Sequence, residues 1–201
     1  MILKFIIDKK YDKKFINKSQ AKEFEELYKT SLEYMKYSQN EYQKSWDKIN
    51  NDFSDYIEKQ TGYKWFYNTY YCIISAMHPG ISNWGDGPKI VRWWRENSFT
   101  QRRITAHELI ISHYFEIFKN QYSEQKISKN QIWVLAEIAG FALTSLTPES
   151  KKFWPWDTSG YYTNHNYPQI VKLQNKLKSK FLNRKSFDEY IEIGIKLITD
   201  N

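Results

Sequence analysis

The stretch that decides the fold of this chain runs from residue 105 to residue 118 and reads TAHELIISHYFEIF. It lies within a helix that we predict from about Thr100 to Lys119. A capping box at Ser128 and Gln131, in which each side chain bonds the backbone of the other residue, predicts a second helix that runs to about Ser145. We expect these two helices to lie together at the centre of the molecule.

Upstream of this pair, the pattern of apolar residues predicts three strands. Residues 2–7 form a short apolar run that is typical of an edge strand. Residues 65–77 are rich in aromatic and β-branched side chains, and we predict the main strand there. After a loop punctuated by Gly80, Gly85 and Gly87, residues 89–94 are predicted as a second, shorter strand. Strand, loop and strand together predict a hairpin-like unit.

Two further regions are predicted to be helical, and one is predicted as a loop. Residues 19–59 have apolar side chains at spacings of three and four, which indicates one long helix or a helical hairpin broken near residues 38–40. Residues 153–168 show no regular period and are predicted as an aromatic loop, and residues 186–199 as a last helix. The expected fold class is α+β and helix-dominated, with a small antiparallel sheet packed against four to six helices.

Length and composition predict one domain. The 201 residues divide into a strand and long helical part (1–62), strands with the central helices (63–146), and an aromatic loop with the last helix (147–201). We see no basic and apolar leader and no apolar run near the roughly 18 residues that a membrane span needs. The single cysteine, Cys72, cannot form an internal disulfide. We therefore predict a cytoplasmic protein that does not enter a membrane.

The net charge of +7 is concentrated in one region. Residues 63–105 carry six basic side chains against two acidic ones. A cluster of arginines stands beside two tryptophans there: Arg92, Arg95, Arg102 and Arg103 near Trp93 and Trp94. Such a cluster could grip phosphates and stack bases, or it could form the rim of a cleft or an ordinary solvated face. Binding to nucleic acid is therefore the less favoured of these alternatives.

Four histidines are candidates for metal binding or acid–base chemistry: His78, His107, His113 and His165. The segment around His107 and Glu108 resembles the active-site helix of the zincin metallopeptidases, which reads His-Glu-x-x-His. The second ligand position of that motif is Ile111 here, and an aliphatic side chain cannot bind a metal. His113 stands six residues after His107, about 120° around a regular helix.

The resemblance extends to the glutamate-ligand branch of the zincins, the gluzincins, in which a following helix supplies a third ligand. Glu137 stands thirty residues after His107 among apolar neighbours and matches that position. The resemblance implies a zinc ion held by His107, Glu137 and a non-standard ligand, either His113 or His165. It also implies Glu108 as the general base, with Arg103 or Arg102 clamping a carboxylate or oxyanion of a peptide or protein substrate.

Three interpretations of this segment stay open. The first is an active zinc-dependent hydrolase, most plausibly a peptidase. The second is a zincin-like domain that has lost its metal and serves as a binding module for peptide or nucleic acid, using the cluster at 92–103. In the third, the chain is unrelated to zincins, and His107 and Glu108 are ordinary helix residues held by Arg102, Arg103 or tyrosine hydroxyls.

Overall fold

The computed structural model describes residues 1–83, 85–156 and 168–200, apart from the side chain of Gln169. Within these residues the α-helices are α1 (Lys9–Asp12), α2 (Ala21–Asp47), α3 (Asn50–Thr61), α4 (Gln101–Gln121), α5 (Lys129–Ser145), α6 (Pro168–Leu182) and α7 (Phe187–Thr199). The strands are β1 (Ile2–Ile6), β2 (Thr69–Ser75), β3 (Gly80–Ser82) and β4 (Lys89–Trp93). The predicted α+β, helix-dominated class is confirmed.

The sheet is mixed, so the prediction of an antiparallel sheet is wrong. Its strand order is β1-β2-β4-β3, in which β1, β2 and β4 run parallel and only β3 is antiparallel to its neighbour. The predicted hairpin of the two longer strands is also wrong, because β3 turns back first and forms the hairpin with β4, pairing Gly80 with Arg92. Strand propensity marks where a strand lies but does not give its direction, and the three residues of β3 carry little propensity of their own.

The long N-terminal helical segment breaks at a different point from the predicted one. Helices α2 and α3 meet at residues 48–49, and the N–H of Ile49 donates to the carbonyl of Trp46 at 2.8 Å. Two glutamines of α2 bond the outer edge of β1: Gln39 Nε2 donates to the carbonyl of Phe5, and the N–H of Phe5 donates to Gln43 Oε1. The predicted edge strand is confirmed, and side chains of α2 and α3 bond the backbone groups on its outer edge.

Helix α6 is an element that the sequence analysis missed. Its buried side chains Ile170, Leu173, Leu177 and Phe181 recur at spacings of three and four, which is the helical period. Pro168 stands at its first position, where proline loses no helical hydrogen bond. Both signals are present in the sequence, at the end of the segment 153–168 that was predicted as an aromatic loop and directly after it. Residues 157–167 of that loop lie outside the described residues.

Helices α4 and α5 lie side by side at the centre of the molecule, as predicted. Helix α4 is buried along its length because α5 covers one face and β3 and β4 cover another. No helix in the described ranges is both long and apolar enough to cross a membrane. The predicted site residues His107, Glu108, His113 and Glu137 therefore lie on this enclosed pair of helices.

Candidate active site

His107 and Glu137 meet between the two central helices. His107, on α4, is 2% exposed, and its Nε2 lies 2.9 Å from Oε2 of Glu137 on α5. The apolar neighbours of Glu137 in the sequence are buried, while its carboxylate is only partly covered. The structure thus brings together the two residues that the sequence placed thirty positions apart.

Gly140 makes room for the imidazole ring of His107. A Cβ atom at this position would stand 2.5 Å from Nδ1 and 2.8 Å from Cε1 of His107, closer than atoms can approach. The ring therefore lies directly on the backbone of α5, one turn after Glu137. Sequence analysis missed Gly140, although a glycine inside a strongly apolar helix is a recognised sign of close packing.

Glu108 faces the sheet, since successive side chains of a helix point about 100° apart. Its carboxylate accepts a hydrogen bond from Ser82 Oγ of β3, and the Ser82 hydroxyl also lies 2.8 Å from the backbone oxygen of Glu108. Burial raises the pKa of Glu108 above the ordinary carboxyl value, and the charge of Glu137 acts in the same direction. The opposing influences are His107, the hydrogen bond from Ser82, and Arg92.

Arg92 is a buried charge beside Glu108 that sequence analysis had assigned to a different cluster. It is 1% exposed on β4, and its guanidinium donates to the carbonyl of Pro79 and forms an ion pair with Glu96. A Cβ atom at Gly80 would lie 2.8 Å from Arg92 Nη1 and 2.5 Å from Glu108 Oε1. The start of β3 thus passes close to both side chains, and any larger residue at position 80 would have to displace one of them.

His113 is not brought to His107 and Glu137. It is 1% exposed, and its ring lies 4.6 Å from the ring of Trp65 and 5.5 Å from that of Phe66, which precede β2. Burial lowers the pKa of His113 to about 3, so its imidazole is neutral near physiological pH. Ile111, at the second ligand position of the zincin motif, is also part of the buried core. The 120° offset expected from the helical period accounts for this separation.

The other predicted site residues have different surroundings. Arg103 is buried on α4, one turn before His107. Arg102 donates from Nε to Ser45 Oγ at 2.8 Å, and its guanidinium lies over the rings of Phe99 and Trp156. His165 lies outside the described residues. Over the described ranges, no three histidine, cysteine, aspartate or glutamate side chains form a group able to hold a metal ion.

The arginine cluster does not form one exposed basic surface. Arg92, Arg102 and Arg103 are buried, and only Arg95 is exposed, with its guanidinium over the rings of Trp93 and Trp94. Counterion release, which drives binding to nucleic acid, needs several accessible cations on one face. Clustering along the sequence therefore overstated what the folded chain presents to a phosphate backbone.

His107 and Glu137 fit part of a zinc site. An imidazole nitrogen and a carboxylate oxygen are both zinc ligands, and atoms 2.9 Å apart can both reach one ion at the usual distances of about 2 Å. A catalytic zinc site takes three protein ligands and keeps one open position. The described residues supply two of the three.

No protein-family model, curated protein or solved structure matches this chain. The resemblance to zincins stays a prediction from the sequence, and it depends on His107, Glu108 and Glu137. The arrangement of these residues between α4, α5 and β3 is the guide to what the protein does.

Proposed function

We propose that this protein is a zinc-dependent hydrolase of peptide bonds, with its centre at His107, Glu108 and Glu137. The observation that carries the proposal is the 2.9 Å contact of His107 Nε2 with Glu137 Oε2, next to a buried carboxyl group on the same helix. The imidazole nitrogen and the carboxylate oxygen that meet in this way between two central helices are both of the types that bind zinc.

In this proposal His107 and Glu137 hold the metal and Glu108 moves the proton. A zinc ion held there would supply Lewis-acid chemistry for the hydrolysis of a peptide bond. The Glu108 carboxylate takes a proton from the attacking water and passes it to the leaving amine. The raised pKa of Glu108 makes it a stronger base than an exposed glutamate. The Ser82 hydroxyl fixes the orientation of that carboxylate.

The position of β3 supports a peptide as the substrate. It is the terminal strand of the described sheet, and its Ser82 touches Glu108. An extended peptide can add to such an edge through backbone hydrogen bonds, as in other strand-addition complexes. A peptide bound in this way would pass beside the carboxylate of Glu108.

Elemental analysis of the untagged protein, paired with an assay on a protein substrate such as casein, tests this function. We expect near-stoichiometric zinc in the unmodified protein and in Glu108→Gln, and none in His107→Ala or Glu137→Gln. Hydrolysis should be lost in all three variants. The matched control is Glu116→Gln, which changes another buried α4 carboxyl, one that accepts from the Tyr67 hydroxyl and lies outside the site. It should keep both zinc and activity.

Two outcomes would overturn the proposal. Hydrolysis that survives in Glu108→Gln would remove the general base from the mechanism. A protein that takes up no zinc even when the ion is supplied in excess would remove the metal. A metal-free peptide-binding module is then the second candidate, favoured by the burial of Ile111 where the zincin motif has its second ligand. Peptide binding unchanged by His107→Ala would identify it.

A further inference from the structure

A cavity lies between α5, α6 and the end of α7, and none of its lining residues belongs to the proposed zinc centre. Its volume is about 290 Å³, and its floor is formed by Val134, Leu173 and Ile198. Gln131 Nε2 donates to the carbonyl of Ile198 at 3.2 Å and ties the end of α7 to α5 on one side. The lining is mostly apolar, so the cavity favours a hydrocarbon group over water.

The rim of this cavity carries positive charge only. Lys172 and Lys176 on α6 line it, and among its lining residues in the described part of the chain none is acidic. Lys172 is exposed and has no ion-pair partner in the described ranges. The same bias runs along the chain: residues 158–187 include six basic side chains and no acidic one. Asp200 follows Ile198 by two residues but does not line the cavity.

We propose that this cavity binds the anion of a medium-chain fatty acid. The apolar floor takes the acyl chain, and the ammonium group of Lys172 meets the carboxylate at the rim. A methylene group needs roughly the 30 Å³ that a water molecule takes in the liquid, so the cavity holds a chain of about ten carbons. An inorganic anion would not contact the apolar lining, and a neutral hydrocarbon would not pair with the lysine at the rim. This site is separate from the proposed zinc centre.

Titration calorimetry with decanoate, below its micelle concentration and on the full chain, tests the proposal. We expect one saturable site with micromolar affinity, weaker binding of 1-decanol, and no measurable binding of acetate. Lys172→Glu should weaken decanoate binding at least tenfold. Lys178→Glu makes the same charge change at an exposed α6 position that does not line the cavity, and should change the affinity less than twofold. Glu108→Gln should bind decanoate normally whether or not the protein hydrolyses peptides.

A variant that fills the cavity gives a second line of evidence. Val134→Phe places a ring where the acyl chain would lie, and should abolish decanoate binding while circular dichroism stays that of the unmodified protein. If Val134→Phe does not fold, the decanoate affinities of Lys172→Glu and Lys178→Glu test the proposal without it. Absence of saturable decanoate binding, equal weakening by the two lysine variants, or undiminished binding by folded Val134→Phe would overturn the proposal. So would binding to phosphatidylglycerol vesicles without binding to free decanoate.

Discussion

His113 is the residue whose role changed most between sequence and structure. It was a candidate zinc ligand on the strength of its residue type, and the structure places it against Trp65 and Phe66 in the core. An imidazole in such surroundings contributes as an aromatic ring, and burial disfavours its protonation more strongly than the charge of Glu58 favours it. The burial of His113 therefore makes the stability of the folded protein depend on pH.

We predict that His113 destabilises the folded protein in acid. Its pKa is about 3 when folded and about 6.5 in an unfolded chain, so the unfolded state binds the proton first. Full stability is therefore present above pH 6.5, and the free energy of unfolding falls by up to about 1.4 kcal/mol per pH unit as pH drops towards 3. His113→Phe keeps the ring contacts and should flatten this slope. Urea unfolding at a series of pH values measures it.

The control for this prediction is Phe66→Leu, which changes the ring packing at the same place without removing a titrating group. It should lower stability at every pH by a similar amount and keep the original slope. An unchanged acid slope in His113→Phe would show that other groups cause the loss of stability in acid. Zinc content that fell in His113→Phe would instead return His113 to the list of ligands.

At the scale of elements, the contact of α4 with α5 depends on Gly140. Glycine lowers the intrinsic stability of a helix by about 1 kcal/mol relative to alanine, so Gly140→Ala would stabilise an isolated α5. In the folded chain the added Cβ meets the ring of His107 at 2.5 Å. We predict a net loss of about 1–3 kcal/mol in the free energy of unfolding, which is the usual cost of overpacking a core.

Gly194→Ala on α7 is the matched control. There the added Cβ would meet Leu135 Cδ2 at 3.0 Å, the far end of a flexible side chain that can shift by a few tenths of an ångström. Urea unfolding should show a clearly smaller loss than for Gly140→Ala, or a gain. If Gly140→Ala were as stable as the unmodified protein, the prediction would be wrong. The helices α4 and α5 could then move apart without a loss in the free energy of unfolding. If zinc binds at His107, Gly140→Ala should also weaken its binding.

At the scale of the whole molecule, Asp12 joins the N-terminal segment to the sheet and to α2. It is fully buried, and its carboxylate accepts from the Tyr28 hydroxyl at 2.9 Å, from Ser75 Oγ at 2.6 Å and from the N–H of Ala76 at 3.0 Å. Ser75 in turn accepts from the N–H of His78 at 2.8 Å. This network fixes the turn between β2 and β3, and through it the strand that contacts Glu108.

We predict that Asp12→Ala lowers the free energy of unfolding by about 3 kcal/mol, because it leaves several buried donors without an acceptor. Asp8→Ala, which removes only the side-chain cap of the one-turn helix α1, should cost about 1 kcal/mol. Urea unfolding of both variants gives the comparison. An effect of Asp12→Ala no larger than that of Asp8→Ala would show that the donors find other partners.

Local signals in the sequence were enough for much of the fold. The capping box at Ser128 and Gln131 opens α5 as predicted, with both of its hydrogen bonds formed. Gly62 ends α3 with a φ of 77°, a conformation that glycine adopts without steric cost. The strands β1, β2 and β4 were located to within a few residues, and so was the central helix pair, whereas β3 lies in a segment that was predicted as a loop. These features depend on residues close together in the chain, which is why a single sequence reveals them.

The sequence by itself determined the helix-dominated α+β class and the central position of α4 and α5. It also singled out His107, Glu108 and Glu137 as candidate site residues. Only the tertiary structure decided the direction of the strands, the separation of His113 from His107, the burial of Arg92, and the close approach allowed by Gly80 and Gly140. The physical reason is the range of the interactions. Capping and helical periodicity act over a few residues, whereas strand pairing, desolvation and side-chain crowding depend on segments that meet only when the chain folds.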